Sequence, residues 1–116
     1  MTLLCRVEEL TGGSGKGFTV EIDGEATEIL VVAVAGEVRA YVNACPHLGI
    51  NLDWQPDRFL DRDREHIICS THGALFRVAD GYCFAGPCRG EHLEPVAIAI
   101  EDGAVRLRAT AASPPA

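Results

Sequence analysis

Short runs in which apolar and polar residues alternate, each closed by glycine, proline or aspartate, recur along this chain and predict strands rather than helices. Residues 3–10 mix apolar and charged positions as an edge strand would, and the glycine-rich stretch 12–17 breaks it. Residues 18–22 predict a second strand. The run at 28–35 is rich in β-branched residues and apolar at every position after Glu28, so a buried strand is expected there, with Gly36 and Glu37 turning it into a partner at 38–42. Three shorter strands are expected at 66–69, 74–78 and 82–84, with Asp80 and Gly81 as the turn between the last two. Residues 96–100 and 105–108 flank Asp102-Gly103, a tight-hairpin dipeptide. Residues 51–65 resist a strand reading, because they hold five acids, three arginines and a proline. They predict a long surface loop or one short helix, pinned to the body by Trp54 and Phe59.

Composition agrees with an all-β domain. The 116 residues suffice for one compact domain, and 12 Gly and 6 Pro with 6% aromatic residues suit many short strands and turns. Hydrophobic residues at 47% and charged residues at 23% are those of a folded globular chain. The net charge of −7 repels phosphate backbones and anionic lipid, so nucleic acid and membrane surfaces are excluded as expected partners, and a basic protein is favoured. The longest apolar run, 29–35, falls far short of a bilayer span, and the first residues lack a basic start before an apolar stretch. A cytoplasmic location is the expectation. The 12–17 glycines do not make a phosphate loop, because Leu10 and Gly17 stand where that motif needs Gly and Ser or Thr, and a strand follows instead of a helix. Residues 109–116 are expected to be a frayed tail.

Chemistry concentrates in the cysteines and histidines. Five cysteines, at 5, 45, 69, 83 and 88, make an odd number with no export signal, which weakens a disulfide framework and favours metal or redox chemistry. Two of them stand in compact pairs with histidine: Cys45-Pro46-His47-Leu48-Gly49 and Cys69-Ser70-Thr71-His72-Gly73. Soft thiolates and imidazoles in a two-plus-two set suit zinc or an iron–sulfur cluster. Zinc knuckles take two cysteines in one loop, and neither loop here has them. One thiolate and one imidazole from each loop suit an inner iron held by two sulfurs and an outer iron held by two imidazoles. Cys83 and Cys88 are expected to be free, partly buried thiols, Cys5 a small strand hydrophobe, and His66 and His92 surface residues.

Through these two motifs, with residues 81–88 as a third segment, the sequence resembles the Rieske iron–sulfur domain family over most of its length. The resemblance implies an antiparallel fold of stacked sheets forming one domain at 1–108, with a cluster-binding subdomain at 43–88. It implies a [2Fe–2S] cluster with Cys45 and Cys69 on the buried iron and His47 and His72 on the exposed one, covered by a proline loop at Gly86-Pro87. High-potential members carry an extra disulfide-linked cysteine in each ligand loop and a serine that bonds a bridging sulfide. The matching positions here are Ile50, Thr71 and Ala74. Fewer donors to the sulfurs lower the potential, so a ferredoxin-type value of about −150 mV is expected. The 21 residues between His47 and Cys69 exceed the commoner ferredoxin spacing, and the Asp/Arg-rich loop supplies the surplus.

Such a cluster is neutral when oxidised and about −1 when reduced, a small charge change that suits a carrier. The resemblance implies a one-electron, ferredoxin-like component passing electrons from a reductase to an oxygenase or reductase, itself non-catalytic. A catalytic oxygenase would need a further iron held by two histidines and a carboxylate, and only His66 and His92 remain. The alternatives are a dedicated small subunit or redox regulator of a larger enzyme, similar to the small subunit of nitrite reductases, and a zinc-structural interaction module.

Overall fold

The computed structural model describes residues 2–10, 15–22, 24–34, 36–44, 52, 59–61, 65–69 and 73–108. They form β1 (Thr2–Arg6), α1 (Val7–Leu10), β2 (Lys16–Ile22), β3 (Glu25–Val34), β4 (Glu37–Val42), β5 (His66–Cys69), β6 (Ala74–Arg77), β7 (Cys83–Ala85), β8 (Ile98–Glu101) and β9 (Ala104–Leu107). Every strand pairing is antiparallel, in three sheets ordered β1-β9-β8, β2-β3-β4 and β5-β6-β7. The expected all-β class therefore holds.

Strand β3 explains the layering. It is the middle strand of its sheet, paired through Val31 with Lys16 on one side and Ala40 on the other. Successive side chains of a strand point to opposite faces. Leu30 and Val32 accordingly pack in one core with Ile67, Cys69, Ala74, Phe76 and Cys83 of the β5-β6-β7 sheet. Ile29 and Val31 pack in a second core with Cys5 and Val105 of the β1-β9-β8 sheet. All four are fully buried, so the uninterrupted apolar run reflects a strand covered on both faces.

The expected hairpin at 101–104 is present. Asp102 and Gly103 have φ of 51° and 79°, the left-handed pair that a two-residue hairpin turn requires. Several boundaries differ from expectation. Residues 7–10 form a helical turn instead of continuing the first strand: the Arg6 N–H donates to the Glu9 carboxylate at 3.1 Å, capping the turn and burying Leu10. Lys16 and Gly17 belong to β2, opposite Val31 and Leu30. The last hairpin begins at Ile98 instead of Val96, because the Val96 N–H donates to the Ala40 carbonyl at 2.9 Å. Together with Val42 N–H to Glu94 O at 2.8 Å, this lays 94–96 along the outer edge of β4. Pro95 stands opposite Tyr41 between those two bonds, where no N–H is needed. Tyr82 lies outside β7 and makes a single bridge to His92.

Candidate metal centre

Cys69 ends β5 on the inward side of an alternating strand, fully buried in the core shared with Leu52, Ala74 and Cys88. It pairs with Ala74, the first residue of β6, and its carbonyl accepts the Gly73 N–H at 2.7 Å. The β5–β6 hairpin therefore carries a thiol at its tip, inside apolar surroundings that favour a metal-bound thiolate over a bare one. Cys45, His47 and His72 lie outside the described residues, as do Ile50, Trp54 and Thr71. Of the four expected ligands, the structure describes the position of Cys69.

Described residues flank both of the expected ligand loops. Chain entry into the first loop is anchored where the Asn43 N–H donates to Glu28 O at 2.8 Å and the Ala44 N–H to Val42 O at 2.9 Å. Across that loop, the Leu52 N–H donates to the Asn43 side-chain oxygen at 2.7 Å. The turn after β7 packs against the start of β6. Gly86 sits against Ala74 with φ of 94°, and a Cβ there would stand 2.7 Å from the Ala74 Cα. The turn is held by Arg89 N–H to Gly86 O at 3.2 Å, Gly90 N–H to Cys83 O at 3.0 Å and Glu91 N–H to Cys88 O at 2.9 Å. Ala74 is completely enclosed and offers no hydroxyl, as expected from its type.

Cys83 and Cys88 depart from expectation in burial: both are fully enclosed, and they are not joined to one another by a disulfide. The Cys83 thiol donates to Ala85 O at 3.1 Å. Cys5 is a buried strand residue as expected, and burial pushes its thiol pKa up. Phe59 is fully buried and pins its segment to the core, as expected. His92 is exposed, while His66 is half-buried, its Nδ1 3.3 Å from Asp61 Oδ2 and its ring edge-on to Phe84 at 4.9 Å. Burial alone would raise the Asp61 pKa, but the N–H groups of Glu65 and His66 donate to that carboxylate and hold it below its usual range.

Asn43 was not among the residues that the sequence pattern singled out. Its signal is a polar residue at the end of an apolar strand, two positions before Cys45, and apart from the Tyr41 hydroxyl it is the buried polar side chain among the described residues. The donor set expected from the sequence, two thiolates and two imidazoles, suits a two-iron cluster, and the buried Cys69 thiol beside Ala74 fits that set.

A family model described as Rieske [2Fe-2S] domain matches residues 1–105. No curated protein matches the chain. Among solved structures, the chain is similar to the ferredoxin of carbazole 1,9a-dioxygenase from Nocardioides aromaticivorans IC177, at 23% identity, with 94% of this chain and 99% of that one covered and a TM-score of 0.70. It is also similar to a Sphingomonas yanoikuyae B1 ferredoxin, at 28% identity, covering 90% and 94%, with a TM-score of 0.67. A third similar structure is a complex of reduced oxygenase and oxidized ferredoxin in carbazole 1,9a-dioxygenase, at 22% identity, covering 91% and 99%, with a TM-score of 0.71. Among the described residues, no helix is long and apolar enough to cross a membrane.

Proposed function

We infer the function from one premise: the chain belongs to the Rieske [2Fe–2S] domain family, whose cofactor is a [2Fe–2S] cluster. The protein is a one-electron carrier, a ferredoxin-type component that takes an electron from a reductase and delivers it to an oxygenase or another reductase. The observation that carries this reading is the buried Cys69 at the tip of the β5–β6 hairpin, with Gly86 packed on Ala74 beside it, in a chain that matches the family model over residues 1–105. A ferredoxin of similar fold, found in complex with its oxygenase, supports the partner class.

When bound, the cluster supplies a single reversible electron and no bond chemistry. Cys45 and Cys69 would supply thiolates to one iron, and His47 and His72 would supply imidazoles to the other. Residues 43–88 act as the cluster-binding subdomain of a domain spanning 1–108. The apolar core around Cys69 excludes water from the sulfur side. Ala74, lacking a hydroxyl, leaves that side short of one donor, which favours the oxidised charge state and a low potential. The two histidine ligands would give a partner its approach to the cluster, and the net charge of −7 draws basic partners.

The test is reduction by a candidate reductase followed by delivery to an oxygenase, at rising ionic strength. The reading expects electron delivery without turnover of any substrate by the protein alone, and a rate that falls with salt. Zinc in place of iron would overturn it. Tight copurification with one large subunit would replace the freely diffusing carrier with a dedicated component of that enzyme.

A further inference from the structure

We propose that Asn43 is a positioning residue for the cluster, a side-chain clamp that closes the first ligand loop; this rests on the assignment of Cys45 and His47 as ligands. Two polar contacts define the clamp. The Asn43 backbone N–H is held by Glu28 O of β3 at 2.8 Å, and its side-chain oxygen accepts the Leu52 N–H at 2.7 Å across nine positions of sequence. Residues 44–51, which contain Cys45 and His47, lie between these two anchors.

Burial gives the clamp its leverage. Asn43 is 6% exposed and Leu52 is fully buried, so water cannot replace the bond when it is lost. Leu52 belongs to the same apolar core as Cys69, Ala74 and Cys88. The clamp therefore ties the far end of the first ligand loop to β4 on one side and to the core holding Cys69 on the other. Joining residues 43 and 52 in advance shortens the free chain between them, so less conformational freedom is left to lose when the ligands engage. An apolar residue at 43 would fill the space but leave the Leu52 N–H buried with no acceptor.

The experiment compares cluster-loaded wild type with Asn43→Leu, Asn43→Ala and Asn43→Asp, all handled anaerobically. The readouts are the rate of iron release to a chelator and the shape of the reduced-state EPR spectrum, with far-UV circular dichroism as the fold control. Asn43→Leu and Asn43→Ala should release iron about tenfold faster, equivalent to about 1.4 kcal/mol, with a broadened EPR signal and unchanged strand content. Asn43→Asp keeps the accepting oxygen and should restore slow release. Release at the wild-type rate from Asn43→Leu with an unchanged EPR shape would overturn the clamp. Should the apolar variants fail to fold, hydrogen exchange on the wild type decides: the clamp requires slow exchange of the Leu52 amide, and exchange at the rate of an open peptide refutes it. If the wild type itself gives no rhombic EPR signal, the ligand assignment has failed rather than the clamp.

Discussion

Two glycines of the turn after β7 make a controlled pair. Gly86 and Gly90 have almost the same backbone angle, with φ of 94° and 93°, but different surroundings. A Cβ on Gly86 would stand 2.7 Å from the Ala74 Cα and 3.1 Å from its Cβ, whereas nothing lies within 4 Å of a Cβ on Gly90. Alanine at either site has the same loss of unfolded-state freedom and similar strain, about 1–3 kcal/mol for a side chain held in this region. Only Gly86→Ala adds overpacking against a neighbour that cannot swing away, because the closest atom is backbone. That overpacking costs about a further 1–3 kcal/mol. With an m-value of about 2 kcal/mol/M for a chain of this size, the added cost moves the urea midpoint about 1 M lower than in Gly90→Ala. The assay is anaerobic urea unfolding of the cluster-loaded variants followed by far-UV circular dichroism, with iron release to a chelator measured in parallel. Gly86→Ala should also release iron faster, since relief of the clash lifts the turn from Ala74, whereas Gly90→Ala should not. Adding Ala74→Gly should rescue Gly86→Ala only in part, because the 2.7 Å contact to the Cα remains. Equal midpoints for Gly86→Ala and Gly90→Ala would refute the claim that this turn is packed tightly against the hairpin tip.

Tyr41→Phe removes the hydroxyl that donates to Val78 O at 2.7 Å, a buried bond joining β4 to the turn after β6. It should cost about 1–2 kcal/mol in urea unfolding, and a change below about 0.3 kcal/mol would show that the bond does not hold the two sheets together. Ala74→Ser places a hydroxyl where the high-potential pattern has one, and should raise the reduction potential by about 60 mV, the one-electron equivalent of about 1.4 kcal/mol. An unchanged potential in a correctly folded variant would mean that residue 74 does not tune the cluster.

Legibility in the sequence followed the locality of the signal. The Asp102-Gly103 hairpin was readable because a two-residue turn imposes its backbone angles on adjacent residues. The run around 29–35 was readable as a buried strand, although only the structure shows that its two faces serve two different cores. Boundaries failed where partners were remote. Val96 looks like strand continuing to Ile100, but its N–H is committed to Ala40 more than fifty positions away. Residues 3–10 mix apolar and charged positions as an edge strand would, but Glu9 reaches back to the Arg6 N–H to cap a turn that seats Leu10 in the core. At the site, the Cys/His spacing carried the ligand types because metal chemistry restricts them. The role of Asn43 was invisible, because its partner is a backbone amide nine positions on, and a backbone amide leaves no mark in a sequence.

The central claim is a low-potential two-iron cluster held by two cysteines and two histidines. An EPR-monitored redox titration of the anaerobically isolated protein, run at two pH values near neutrality, tests it most directly. Oxidised iron draws charge from its histidine ligands and a low-potential cluster draws less, so the expectation is a potential that does not move with pH near neutrality. A rhombic signal should appear on reduction, at about −150 mV and the same at both pH values. A high potential that falls between the two pH values would contradict the reading of Ile50, Thr71 and Ala74, and no signal with zinc bound would contradict the carrier itself.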